Sequence, residues 1–225
     1  MNFLEFSDSE QQVAALARAV ADRLSAAIAS RGAAVLAVSG GKSPIPFFHQ
    51  LAGADLDWSR VAVTLVDERF VPADHADSNA ALVRAHLLTG RAAAARFLRL
   101  ARAVDDIAAE VAADCAQYQP ADVAILGMGE DGHTASLFPG TAELAAGLDP
   151  ANPQPYLAVT PLTAPHQRIS LSYAALLQSG LLILSIQGES KRKVLERAAA
   201  RIDDALPISH FLAQDRVSLD VYWSA

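Results

Sequence analysis

The chain has 225 residues, 52% of them hydrophobic and 19% charged, with a formal net charge of −7. That length suits one domain burying roughly 70–75% of its unfolded surface, and the composition excludes an intrinsically disordered chain. The acid excess and the lack of a long basic run argue against a nucleic-acid partner, and no apolar run reaches the roughly 18–20 residues of a membrane span.

In chain order, Ser7-x-x-Glu10 reads as a capping box. It opens a helix with Val13, Leu16, Ala17, Val20, Leu24, Ala27 and Ile28 on one face and Gly32 as its stop. Ala34–Val38 predicts a buried strand that runs into Ser39-Gly40-Gly41-Lys42-Ser43-Pro44, where Pro44 suits the first turn of the next helix. Val61–Val66 predicts a second buried strand, ending in Asp67-Glu68-Arg69. Asp77 or Ser78 caps a helix reaching Leu88; Phe97–Leu100 is a weak strand, and Asp105–Gln117 an amphipathic helix. Val123–Leu126 is a strong strand entering Gly127-Met128-Gly129-Glu130-Asp131-Gly132-His133. From about Phe138 to Pro165 the chain is rich in Pro, Gly, Asn and Thr and reads as an irregular excursion near the site. Strands are predicted again over Arg168–Ser172 and Leu181–Ile186, then a helix over Glu189–Arg201, a short one opened by Pro207, and a last strand over Val217–Trp223.

Cys115 is the single cysteine, so an intrachain disulfide and a CxxC metal site are both excluded. Its apolar helical surroundings predict a packed thiol. The start Met1-Asn2-Phe3-Leu4-Glu5 lacks the basic and apolar regions of a signal peptide, and a cytoplasmic location is expected.

Alternating strands and helices predict an α/β fold: one domain over residues 1–225 with a Rossmann-like, mostly parallel sheet and helices on both faces. Ligands of such sheets bind outside the carboxyl ends of the strands. Three polar motifs fall at those ends: Ser39–Pro44, Asp67–Arg69 and Gly127–His133.

The Gly40-Gly41 pair lets backbone approach a ligand, and the helix start behind it offers free N–H groups, which together read as a phosphate cradle; a tight turn with a solvated Lys42 is the plainer reading. Gly127-x-Gly129-x-x-Gly132 matches a dinucleotide fingerprint, but Phe138-Pro139-Gly140 leaves no room for the helix that fingerprint requires. The glycines instead free the backbone around Asp131 and His133, and an exposed loop histidine can act as a general base near neutral pH. Asp67-Glu68-Arg69 either reaches into a cleft or forms an internal ion pair. Lys191, opening a helix, places a cation where the helix dipole disfavours it, as an anionic ligand would require. The six histidines are scattered, so no metal site is expected.

The run Leu126-Gly127-Met128-Gly129-Glu130-Asp131-Gly132-His133-Thr134-Ala135-Ser136-Leu137-Phe138-Pro139-Gly140 resembles the signature of the glucosamine-6-phosphate isomerase/6-phosphogluconolactonase family, in its lactonase branch. The resemblance extends to Ser39–Pro44, to Val66-Asp67-Glu68-Arg69 with Asp77-Ser78-Asn79 behind it, to Arg168-Ile169-Ser170-Leu171-Ser172 and to Gly188-Glu189-Ser190-Lys191, so it covers nearly the whole chain. It implies a cytosolic esterase of the pentose phosphate pathway that hydrolyses 6-phospho-D-glucono-1,5-lactone to 6-phosphogluconate, without metal or organic cofactor. The implied fold is shared with glucosamine-6-phosphate deaminase and ribose-5-phosphate isomerase. The implied partner is a small sugar-phosphate lactone, with neither nucleic acid nor membrane; a monomer and a small homo-oligomer both stay open.

By the same analogy, Gly40, Gly41, Lys42, Ser43, Arg168 and Lys191 hold the phosphate. His133 takes a proton from water, Asp67 or Asp131 orients its ring, and Arg69 with backbone N–H groups near Gly129–Gly132 stabilises the oxyanion. In the deaminase branch a Phe-Asn-Glu-Pro segment follows Asp-Gly-His and its Glu serves ring opening. Thr134-Ala135-Ser136-Leu137-Phe138-Pro139 stands here instead, which favours the lactonase over a sugar-phosphate isomerase or deaminase. Lys42 departs from the small hydroxyl residue that many relatives carry. A sugar-phosphate sensor and a nicotinamide oxidoreductase are the remaining rivals, the first short of length and basic charge for a DNA-reading domain.

Overall fold

The structure, a computed structural model, describes all 225 residues. In chain order the first half comprises β1 (Asn2–Phe6), α1 (Ser9–Arg31), β2 (Ala34–Val38), α2 (Ile45–Ala52), β3 (Val61–Leu65), β4 (Asp67–Arg69), α3 (Asn79–His86), β5 (Arg96–Leu98) and α4 (Ile107–Ala116). The second half comprises β6 (Val123–Leu126), α5 (Leu144–Leu148), β7 (Tyr156–Val159), β8 (Arg168–Leu171), α6 (Tyr173–Leu176), β9 (Leu182–Gln187), α7 (Glu189–Ala199), α8 (Ile208–Ala213) and β10 (Leu219–Ser224). No helix is long and apolar enough to cross a membrane.

Seven strands form one all-parallel sheet in the order β1-β10-β9-β6-β2-β3-β5. β3 and β6 are buried along their whole length and β2 nearly so, which is why each reads as an unbroken apolar run. The apolar stripe of α1 packs on β2, β10 and α2. Gly32 ends α1 as expected, at φ 80° with its N–H on the Ile28 carbonyl. The start differs. Asp8, not Ser7, is the N-cap, and its carboxylate accepts the Gln11 N–H at 2.8 Å while Ser7 donates to its other oxygen. A carboxylate at the helix start gains from the dipole as well as the hydrogen bond.

β4, β8 and β7 form a second, antiparallel sheet that the alternation of elements does not reveal. Chain leaving β3 turns at Val66, whose N–H still bonds the Val38 carbonyl while its own carbonyl accepts from Leu171. Asp67 and Arg69 are thereby carried from the main sheet into the small one. The excursion expected over 138–165 is only partly irregular: it holds α5 and the edge strand β7, which pairs with β8 from Tyr156↔Leu171 to Val159↔Arg168. Prolines flank β7 but stay outside it, as an edge strand tolerates. One apolar core joins both sheets, with Ile169 and Leu171 of β8 in the same cluster as Leu36, Val63 and Ile125.

Asp114 on α4 is fully buried. Its carboxylate accepts from the Ala101 N–H and Gln117, with Arg102 at 3.3 Å. Burial outweighs these partners and pushes the carboxyl up to about 6. The folded chain therefore binds this proton more tightly than the unfolded chain, whose Asp titrates at about 3.9. Stability from this group is fully present below about pH 4 and is lost as pH rises through about 6. Acidifying from about pH 7 to about pH 5 is expected to raise the Tm of the native chain by roughly 2–4 °C relative to Asp114→Asn. Parallel pH profiles of the two in calorimetry would contradict this.

Candidate active site

In the main sheet the chain winds outward from β2 through β3 to β5, and in the other direction from β6 through β9 to β10. The loops leaving β2 and β6 consequently part to opposite sides, opening a crevice at this topological switch point. A cleft of about 430 Å³ lies there. Its walls bring together Ser39, Gly40, Gly41 and Ser43 after β2, Asp67 and Arg69 after β3, Gly127–Gly129 and His133 after β6, and Gln187 and Lys191 at the β9–α7 junction.

The two central loops are stitched to each other. Ser39 Oγ donates to the Ile125 carbonyl at 2.8 Å and accepts the Gly127 N–H at 3.2 Å, which leaves the glycines and Ser43 to face a ligand. Gly41 sits at φ 88°, open to glycine at no steric cost. At Gly40 a Cβ would lie 1.8 Å from Asn79 Oδ1, so the Asn79 side chain occupies the space that any larger residue needs. Lys42 is exposed and does not line the cleft.

The loop after β6 folds back on itself. The Gly129 N–H bonds the His133 carbonyl at 2.9 Å and the Gly132 N–H bonds the Gly129 carbonyl at 3.0 Å. Thr134 Oγ1 donates to the Gly127 carbonyl, and the Gly132 carbonyl accepts the Ile208 N–H. This frame holds His133 Nδ1 2.5 Å from Asp131 Oδ1, with the ring against Phe138 at 4.4 Å between centroids. A carboxylate on Nδ1 fixes the tautomer with its proton there and leaves Nε2 as a base. The His133 side chain keeps 28% of its surface exposed, so a substrate can reach it. Of the two carboxylates open from the sequence, Asp131 holds the imidazole, while Asp67 is buried and accepts a 2.6 Å hydrogen bond from Ser136.

Glu68 is an internal anchor. It is buried and accepts four hydrogen bonds, from the N–H groups of Arg69, Asn79 and Ala80 and from Ser78 Oγ. Burial pushes its carboxyl above the usual range against those donors. The result pins the start of α3, and hence Asn79, beneath Gly40. Arg69 lines the cleft with Nη1 donating to the Asp77 carbonyl. Arg168 stands opposite Arg69 in the strand register but is buried, outside the cleft lining, with Nε and Nη1 unpartnered. Burial, then the Arg69 charge, pull its pKa below the usual guanidinium value. Lys191, in the first turn of α7, lines the cleft, and Ser190 Oγ beside it donates to Glu130 of the His133 loop at 2.9 Å. Asn79 and Gln187 line the site without having been singled out; Asp77-Ser78-Asn79 gave a signal for the first, and a strand-end glutamine gives none.

A family profile described as "Glucosamine-6-phosphate isomerases/6-phosphogluconolactonase" matches residues 7–223. The chain belongs to this family. A 6-phosphogluconolactonase of Pseudomonas putida is 47% identical over 223 residues, covering 97% of this chain and 91% of the relative. One from Neisseria meningitidis serogroup B is 40% identical, covering 98% of this chain and 97% of that one. The crystal structure of a 6-phosphogluconolactonase from Shewanella baltica superposes with a TM-score of 0.96 at 40% identity, covering 100% of this chain and 98% of that one. A monomeric glucosamine-6-phosphate deaminase, at 19% identity and TM-score 0.81, shares the fold.

Proposed function

We propose that this chain hydrolyses 6-phospho-D-glucono-1,5-lactone to 6-phosphogluconate, the lactonase step of the oxidative pentose phosphate pathway. The observation that carries the reading is the Asp131–His133 pair set in one cleft with Lys191 and Arg69. His133 Nε2 accepts a proton from water as its oxygen attacks C1, and the imidazolium returns that proton to the ring oxygen when the C1–O bond breaks. Phe138 limits rotation of the ring, and Asp131 stabilises its charged form. No acyl intermediate is needed, because an aldonolactone already reacts with water unaided. The reading carries with it a cytoplasmic location and a monomer or small homo-oligomer.

A phosphate monoester brings about −1.5 to −2 charges at neutral pH. With Lys42 and Arg168 outside the lining, Arg69 and Lys191 are the cations that meet it, together with Gly40, Gly41 and Ser43. Arg69, whose planar fork suits phosphate oxygens, therefore moves from the oxyanion to the phosphate, with Arg168 its cross-strand neighbour. Since the N–H groups of Gly129 and Gly132 are used within their own loop, the oxyanion donor is sought among the remaining N–H groups of Met128, Glu130 and Asp131. Arg69→Ala and Lys191→Ala are each expected to raise KM by about 10–100-fold with a smaller loss of kcat. A loss confined to kcat in steady-state kinetics would return Arg69 to the oxyanion.

The isomerase or deaminase reading lacks its acid: the segment Thr134-Ala135-Ser136-Leu137-Phe138-Pro139 after His133 holds no carboxylate. Lactone generated in situ should disappear faster with the protein than in buffer, while glucosamine 6-phosphate releases no ammonia. Ammonia release without lactone loss would reverse the assignment.

A further inference from the structure

A second cluster of chemistry-bearing side chains lies outside the cleft lining. His75 and Asp77, in the loop between β4 and α3, meet His166, just before β8. One donor atom from each lies within 4.8 Å of the other two. His166 Nε2 is 3.0 Å from Asp77 Oδ2, and His75 Nδ1 is 3.9 Å from the same oxygen. The two imidazoles meet edge to face with centroids 5.2 Å apart. Three protein donors on a tetrahedral zinc ion, at about 2.0–2.1 Å each, stand about 3.3 Å from one another. The observed separations straddle that value, and His75 Nδ1, which accepts the Asp77 N–H at 3.1 Å, must exchange that hydrogen bond for the ion. His166 holds φ 68°, a left-handed conformation rare outside glycine.

We propose that His75, Asp77 and His166 form a binding site for a divalent transition cation of the zinc type, with the fourth position open to water. Two imidazoles and one carboxylate are borderline donors that select zinc over magnesium or calcium, which require oxygen ligands. The site lies one hydrogen bond from the cleft through the Asp77 carbonyl, which accepts from Arg69. A bound cation fixes Asp77, and with it the resting position of Arg69, so zinc raises KM for the lactone.

The test is calorimetric titration of chelator-treated full-length protein with zinc, repeated with cobalt to read the visible absorption of a tetrahedral ion. One cation per chain is expected. His166→Asn, whose new side chain tolerates the left-handed backbone, should weaken binding at least tenfold while leaving turnover in chelator unchanged. His133→Ala should bind as the native chain does. Absence of saturable binding up to millimolar zinc overturns the site. So does binding that survives His166→Asn and vanishes in His133→Ala, because the ion then sits on the catalytic pair. If zinc binds but KM for the lactone stays unchanged, the link to Arg69 is overturned and the site alone stands.

Discussion

His133→Ala is expected to lower kcat for lactone hydrolysis by about 10²–10⁴ and to leave KM within a few-fold of the native value. The ring is the one imidazole lining the cleft, and its place there depends on a backbone frame that survives its removal. Phosphate contacts, which set ground-state binding, come from other loops. Asp131→Asn is expected to move kcat in the same direction. An amide nitrogen donating to Nδ1 would trap the proton on Nε2 and leave no base facing water. Rates must be read against spontaneous hydrolysis, with progress followed from freshly generated lactone. Unchanged kcat in His133→Ala would remove the residue from the reaction.

Gly129→Ala is expected to cost about 10²-fold or more in kcat with little loss of stability. A Cβ at residue 129 would lie 2.3 Å from both Cε1 and Nδ1 of His133 and 2.5 Å from Asp131 Oδ1. Those are the ends of movable side chains, so the fold can yield, but it yields by pushing the two catalytic groups apart. A displacement near 1 Å in such a pair is enough to lose 10²-fold. Gly132→Ala supplies the contrast. Gly132 is at φ 75° and its Cβ would meet Leu206 at 2.8 Å, so its replacement should lower Tm as well. Measuring kcat and Tm for both variants separates the two effects. A Gly129→Ala protein with native kcat would show that the pair has slack the structure does not suggest.

The central strands were legible because burial on both faces demands unbroken apolar runs, and β2, β3 and β6 obey that demand. The same strands fix the crevice, so three motifs at their carboxyl ends could be assigned to one site before any coordinates. The edge strand β1 and the pairing of the small sheet were not legible. β1 is largely exposed and its register depends on β10, with Asn2 bonded to Asp220; nothing in its own composition specifies that partner. β4 and β7 are short and pair antiparallel through β8, contacts that no local period announces.

Side-chain direction was the other limit. Arg168 lies across the strand pair from Arg69, so the pleat puts both side chains on one face, and only packing decides that Arg69 lines the cleft while Arg168 is buried. Asp67 and Asp131 were equivalent as carboxylates near His133. Loop closure through Gly129 and Gly132 selects Asp131, while Ser136 claims Asp67. Lys42 looked like a phosphate ligand from its position between Gly41 and Ser43, yet it sits exposed on the outer side of the turn.

The proposal rests on one sugar phosphate spanning the distance between the imidazole and the cleft cations. Titrating the protein with 6-phosphogluconate while recording the side-chain nitrogen resonances of His133, Arg69 and Lys191 tests this directly. The account predicts that all three shift together along one saturation curve. Shifts of Arg69 and Lys191 with His133 unmoved would show a phosphate site that does not deliver the lactone carbon to its base.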